Sequence, residues 1–162
     1  MTLHAKLKEI DELRALVVDA KRAGRTVVFA NGCFDVLHVG HIRYLQGARA
    51  QGDLLIVGIN SDRSVRALKG AGRPLQSESE RAEILASFEC VDYVLIFDDA
   101  TVDQVLLELR PDVHAKGTDY SSETVPERET VRSYGGKVAI VGDAKEHSSR
   151  DLIASILEKF HP

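Results

Sequence analysis

Cysteine is scarce in this chain. Cys33 and Cys90 are the only two among 162 residues, and neither stands in a CxxC pair. Two such thiols make a poor disulfide framework, so both are expected to be reduced. No apolar run approaches the roughly 18 residues of a membrane span, which leaves no membrane partner to expect. The opening residues 1–9 are polar and hold no signal-peptide core, so the expected location is cytoplasmic. Two common phosphate-binding patterns are also missing. GxxxxGK[ST] is absent, which excludes an ordinary P-loop protein, and so is the dinucleotide fingerprint GxGxxG. Gly70-Ala71-Gly72 supplies only two of the latter's glycines and follows a basic stretch rather than a strand. There is no internal repeat and no low-complexity segment. The formal net charge of −4 argues against a general nucleic-acid binder.

What is present is a chain with 44% apolar and 28% charged residues, ordinary for a globular domain and long enough for a full core. Residues 6–23 place Ile10, Leu13, Val17 and Ala20 on one helical face, with Gly24 as a stop. Residues 26–30 are a β-branched apolar run, which predicts a buried strand. Residues 53–60 are almost continuously apolar, as in a parallel strand covered on both faces. Ser77 with Glu80 forms a capping-box pair for a helix through Phe88, and 91–97 reads as the third strand. Thr101 with Gln104 suggests another cap, for a helix that Pro111 ends. A fourth strand over 113–116, a helix over 127–134 and a fifth strand over 137–141 follow. The last helix, capped by Ser148 or Ser149, carries Leu152, Ile153, Ile156 and Leu157 on one stripe. This alternation predicts an α/β fold, a doubly wound five-stranded parallel sheet with right-handed crossovers.

Between the first strand and a helix over 40–50 runs Asn31-Gly32-Cys33-Phe34-Asp35-Val36-Leu37-His38-Val39-Gly40-His41. A helix N-terminus leaves N–H groups unpaired and suits an anion, and Gly40 would let a ligand close to that backbone. His38 and His41 are three residues apart and project to one side, each able to donate an N–H to phosphate. Donors aimed at the charge that develops on a reacting phosphate lower its barrier. Arg63, Arg66, Lys69 and Arg73 fall in a window free of acidic residues. Of the cations nearby, Lys69, Arg73 and Arg81 are candidates for the outer phosphates or an anionic acceptor. Asn60 and Asp62 form the polar tip of the second strand, and Lys116 with Gly117 closes the fourth; such ends are where open α/β sheets place ligands. Cys33 reads as a packing residue, and His114 and His147 as incidental. The loop over 116–126 is the longest candidate for a lid. No protein-bound metal site is expected.

The set Gly32, Phe34, Asp35, His38, Gly40 and His41 resembles the signature of the cytidylyltransferase-like nucleotidyltransferases, a branch of the HIGH-type superfamily. Further strings resemble the branch of that family that acts on D-glycero-β-D-manno-heptose 1-phosphate. They are Val-Gly-Ile-Asn-Ser-Asp at 57–62, Leu-Lys-Gly at 68–70, Arg-Pro at 73–74, the helix start at 80–86, Val-Asp-Tyr-Val at 91–94 and Lys-Gly-Thr-Asp-Tyr at 116–120. The resemblance implies a Rossmann-like sheet with helices on both faces, in a nucleotidyltransferase domain over 25–162 on which residues 1–24 pack as a helical segment. It implies transfer of AMP from ATP to the sugar 1-phosphate, with Mg2+ on the triphosphate, in a homodimer that makes a lipopolysaccharide core precursor. His38, His41 and Lys69 would be catalytic. Gly32, Cys33, Phe34, Asp35, Gly40, Asn60, Asp62, Arg73, Arg81, Lys116, Gly117, Asp119, Ser148 and Ser149 would bind the nucleotide or its partner, with Asp35 shaping the turn or holding the histidines. Two positions depart from the pattern. Ser148-Ser149-Arg150 stands where the family has Ser-Thr-Thr, and Thr118 stands where a glycine is usual. A CTP-dependent enzyme acting on a small phosphorylated polyol or phosphonate is the alternative, and a non-catalytic nucleotide sensor a third.

Overall fold

A computed structural model describes residues 2–161. Five parallel strands, β1 (Val27–Gly32), β2 (Leu54–Asn60), β3 (Tyr93–Phe97), β4 (Val113–Lys116) and β5 (Lys137–Ile140), lie in the order β3-β2-β1-β4-β5. Every residue of β2 is buried, as its unbroken apolar run requires of a strand covered on both faces. One face carries a core of Val28, Ala30, Leu55 and Val57 packed on Leu45, Ala48, Ala82 and Leu85. These come from α3 (Val39–Arg49) and α5 (Glu78–Ala86). The other face joins Val27, Phe29, Leu54 and Ile56 to Leu13 and Val17 of α2 (Ile10–Arg22) and to Val105 and Leu106 of α6 (Asp103–Leu109). The fold is the α/β sandwich that the alternation predicts.

The differences are local. Of the helix expected over 6–23 only α2 (Ile10–Arg22) forms, started by Glu9 in a reciprocal capping box with Glu12, and a separate short α1 (Leu3–Lys6) precedes it. Between them the chain runs extended along β3: Leu7 forms a bridge to Val94, and the Lys8 N–H donates to the Val94 carbonyl at 2.9 Å. Lys6 Nζ donates to the carbonyls of Phe88 and Val91 at 3.1 and 2.7 Å. Arg63, Arg66 and Lys69 of the basic window lie on α4 (Asp62–Lys69), capped by Ser61, while Arg73 follows its end. Thr101 does not cap α6; the cap residue is Val102 with no side-chain bond, and Asp103 instead accepts from Thr130 Oγ1 at 2.5 Å. α7 spans Arg128–Ser133. The apolar stripe of α8 (Ser149–Phe160) is uncovered, with Ile156 and Leu157 more than half exposed. Spacing marks an amphipathic face without saying what covers it.

The sheet order reverses between β1 and β4, so the carboxyl ends of these two strands part and leave a crevice. Residues 26–30 predicted only the inner part of β1; Asn31 and Gly32 extend it to the crevice rim. Gly58 is fixed by close approach within the sheet. A Cβ there would meet Phe29 Cζ at 2.6 Å and Phe97 Cε1 at 3.3 Å. Overpacking of this kind costs about 1–3 kcal/mol. Gly58→Ala is expected to lower unfolding free energy by that amount in a urea titration, and an unchanged midpoint would show that the two phenyl rings yield freely.

Candidate active site

A cavity of about 970 Å3 opens at the crevice, large enough for a nucleotide. Its floor is the end of β1 and of β4, with Asn31, Gly32, Lys116 and Gly117. One wall is the motif loop and the start of α3; the other is the 142–151 segment leading into α8.

The motif loop is held by Asp35, whose side chain has no exposed surface. Its carboxylate accepts from the Leu75 N–H at 2.9 Å, the Gln76 N–H at 3.1 Å and Arg73 Nε at 2.7 Å. Burial works to raise this carboxyl; the Leu75 N–H, the Arg73 guanidinium and the Gln76 N–H outweigh it and hold it below the usual carboxylate range. Phe34 and Val36 on either side have φ of 51° and 57°, a left-handed backbone that costs a non-glycine roughly 1–2 kcal/mol. Asp35 therefore shapes the turn; it makes no hydrogen bond to either motif histidine.

His38 and His41 form a capping box built from two imidazoles. His38 Nδ1 accepts from the Gly40 N–H at 3.1 Å, and His41 Nδ1 accepts from the His38 N–H at 3.2 Å. An Nδ1 that accepts carries no proton, so the neutral ring keeps its hydrogen on Nε2. The rings stack with centroids 3.9 Å apart. Burial, then the neighbouring His38 and Lys69 charges, push His41 from 6.5 down to about 4. Burial followed by His147 also lowers His38. Near neutrality the pair is thus two uncharged Nε2–H donors of fixed tautomer. Gly40 serves this geometry: a Cβ there would stand 2.9 Å from His38 Nδ1 and Cε1. The space expected to admit a ligand is filled by the His38 ring.

Of the seventeen residues expected at the site, fifteen line the cavity: Gly32, Cys33, Phe34, Asp35, His38, Gly40, His41, Asn60, Lys69, Arg73, Lys116, Gly117, Asp119, Ser148 and Ser149. Arg81 and Asp62 do not, which corrects the expectation for both. Arg81 is buried to 1% exposure. Its guanidinium donates to the carbonyls of Cys33 at 2.7 Å, Asn60 at 2.8 Å and Gln76 at 3.1 Å, and to Asp62 Oδ1 at 2.8 Å. It clamps the loops that surround the cavity and has no face left for phosphate. Several lining residues are also engaged. Asn60 Nδ2 donates to Ser64 Oγ at 2.9 Å, and Ser148 Oγ caps α8 by accepting from the Asp151 N–H at 3.0 Å. Ser149 Oγ donates to the Asp35 and Val36 carbonyls at 2.6 and 2.8 Å, tying α8 to the motif loop. Asp119 pairs with Lys145 at 2.9 Å. Thr118, the residue that departs from the family's glycine, donates to the Asp143 carbonyl at 2.6 Å. Lys116 sits 3.6 Å from Glu127, an ion pair too long for a hydrogen bond. Lys69 and Arg150 have no ion pair among the described residues. Burial pushes the Cys33 thiol up, which suits packing rather than attack.

The cytidylyltransferase-like family profile matches residues 29–157. The chain belongs to the cytidylyltransferase-like family. It is an enzyme of the nucleotidyltransferase class. It is 49% identical over 156 residues to the bifunctional protein HldE of Syntrophotalea carbinolica, covering 96% of this chain and 32% of that one. Identity to HldE of Geotalea uraniireducens is 53%, covering 94% and 31%. The chain thus spans about a third of the length of these relatives. Among solved structures it resembles a lipopolysaccharide core biosynthesis protein from Thermoplasma volcanium, with TM-score 0.64, 26% identity and coverage of 75% and 100%. The pantoate-beta-alanine ligase of Francisella tularensis shares the fold, with TM-score 0.65 at 16% identity over 94% and 76%.

Beyond the motif, this family member brings His147 to the cavity, its ring 6.3 Å from His38. In the sequence it reads as incidental, because no local pattern links it to residues more than a hundred positions earlier. Asn31 carries no such signal for the opposite reason: it stands inside the motif but outside the histidine spacing. No helix among the described residues is long and apolar enough to cross a membrane.

The buried histidines set an acid limit on stability. His41 is held at about 4, and burial with the Lys116 charge holds His114 at about 3, against an ordinary 6.5. A folded value below the unfolded one means that the unfolded chain binds more protons between the two. Stability is therefore expected to rise with pH from about 4 to 6.5, with His114→Gln flattening that rise by one histidine's proton. Thermal melts across the window check it; equal slopes in both proteins would show that His114 is protonated in the fold.

Proposed function

We propose that the chain transfers AMP from ATP to D-glycero-β-D-manno-heptose 1-phosphate, giving ADP-heptose and pyrophosphate for lipopolysaccharide core synthesis. The observation that carries this reading is the pair of neutral, tautomer-fixed imidazoles beside Lys69 at the topological switch point. The heptose acceptor is supported by the matching strings at 57–62, 68–70 and 116–120 and by the identity to HldE proteins.

In this reaction an oxygen of the sugar phosphate forms a bond to the α-phosphorus while the bond to the pyrophosphate oxygen breaks. The acceptor is a phosphate monoester, largely dianionic near neutrality, so it needs no strong general base. The residues supply position and charge stabilisation instead. His38 and His41 donate from Nε2 to the α-phosphate oxygens as negative charge accumulates. Lys69, Arg73 and Arg150 face the departing pyrophosphate or the acceptor. Arg150 keeps a cation where the family has a hydroxyl, and it offsets the engagement of the Ser148 and Ser149 side chains.

Magnesium is the expected companion of ATP. The cavity lining carries imidazole, ammonium and guanidinium groups together with the carboxylates of Asp35, Asp119, Asp143, Glu146 and Asp151, but among the described residues no three His, Cys, Asp or Glu side chains gather to hold a metal. These residues do not build a resident magnesium site, so the ion belongs to the triphosphate oxygens, and no step here runs through it. A homodimer and a cytoplasmic location are part of the same proposal, supported by the resemblance; the uncovered stripe of α8 is a surface suited to self-association.

Pyrophosphate release with magnesium, each nucleoside triphosphate and a panel of sugar and polyol phosphates tests the reading. Release is expected with ATP and the heptose phosphate. Turnover with CTP and none with ATP would replace it with the cytidylyl alternative, and binding without turnover would favour a sensor. His41→Ala is expected to lower kcat by about 100- to 1,000-fold while ATP binding weakens only a few-fold, as measured by calorimetry. Near-normal turnover would remove His41 from the transition state.

A further inference from the structure

Asn31 takes no part in the histidine pair, yet it lines the same cavity. It lies one residue past the Ala30–Ala115 pairing of β1 with β4, beside Lys116. Side chains alternate along a strand, so Asn31 shares a face with Phe29, on the side of the sheet away from α3. On that face His114 is fully buried, with its ring 6.0 Å from Phe29. His114 Nε2 stands 2.9 Å from Asn31 Oδ1.

A carboxamide oxygen can only accept, so the hydrogen of this bond belongs to His114 Nε2. That leaves Nδ1 as a bare lone pair, and Nδ1 is indeed buried without a partner. The opposite tautomer would bury an unpaired N–H, the rarer and costlier defect. With Oδ1 committed to the protein interior, the carboxamide presents its NH2 elsewhere. That NH2 has no partner among the described residues. It adds two donors to the rim of the crevice, which Lys116 also lines, and it offers no acceptor. Its complement is a ligand oxygen.

We propose that Asn31 is a further substrate-binding residue, whose NH2 donates to a phosphate oxygen in the crevice between β1 and β4, and that His114 is the positioning residue that fixes the carboxamide. The substrate is thereby gripped from both sides of the sheet, by the imidazoles on the α3 side and by Asn31 and Lys116 on the other. The inference rests on the nucleotidyltransferase reading. The phosphate oxygen comes from the triphosphate of ATP or from the sugar 1-phosphate, and the two are separable.

Calorimetric titration of ATP and of heptose 1-phosphate, each alone, onto the full chain tests this. Asn31→Ala removes the NH2 without adding charge and is expected to raise one or both Kd values about 10-fold. Asn31→Asp keeps the oxygen that His114 holds and is expected to raise the same value about 100-fold. The ligand that loses affinity names the source of the oxygen. His114→Phe is expected to weaken the same ligand about 10-fold and His114→Gln to restore it, since its amide nitrogen can still reach Asn31 Oδ1. A general loss of packing would not be rescued in this way. Unchanged Kd values in Asn31→Ala overturn the contact, including the case where only Asn31→Asp weakens binding through charge. Equal weakening in His114→Phe and His114→Gln overturns the positioning role. Wild-type protein that binds both ligands but releases no pyrophosphate when given them together with magnesium would fail the proposed reaction, while the Kd comparison would still decide the role of Asn31.

Discussion

The buried carboxylate of Asp35 ties two distant parts of the chain together. It draws the 73–76 segment onto the loop after β1 through two backbone N–H groups and a guanidinium. Arg81 repeats the logic from below, binding the carbonyls of Cys33, Asn60 and Gln76. Between them these two charges hold Phe34 and Val36 in a backbone that neither would adopt alone. Breaking a buried pair by removing one partner is far more damaging than never having built it. The entry to α3, and with it the orientation of both histidines, depends on this tie.

The sheet and its order of elements were legible because the signals are local. An unbroken apolar run such as 54–60 has few alternatives to a buried parallel strand, and Ser77 with Glu80 marked the start of α5 in the structure as in the sequence. Thr101 does not cap α6: Val102 stands at the cap position, and Asp103 in the first turn is bonded by Thr130. Most of the cavity was legible as well, since the motif supplies one wall and strand ends supply the floor. The role of Arg81 is not legible, because a cation near a phosphate motif looks the same in sequence whether it faces the ligand or the carbonyls behind it. His147 and Lys145 entered only through the fold, which brings a distant loop across the crevice.

The cavity's chemistry is one of donors. Carboxylates on its lining are largely engaged, Asp35 by Arg73 and Asp119 by Lys145. Asp143 is held by Arg43. The histidines are kept uncharged by burial, so they contribute directed hydrogen bonds rather than competing positive charge. An environment of this kind stabilises charge that moves from one phosphate oxygen to another without needing to move protons itself.

The short bridge of Leu7 to Val94 bears on how the molecule meets others. An outer strand ordinarily offers a row of unpaired N–H and C=O groups to any passing chain. Here residues 6–8 lie along β3, with the Lys8 N–H and the Lys6 ammonium spent on carbonyls at that rim. The opposite rim, β5, has no such cover in its sheet order and begins with the exposed Lys137. A foreign strand seeking to extend the sheet meets the Leu7–Val94 bridge near the start of β3 and the exposed Lys137 at the start of β5.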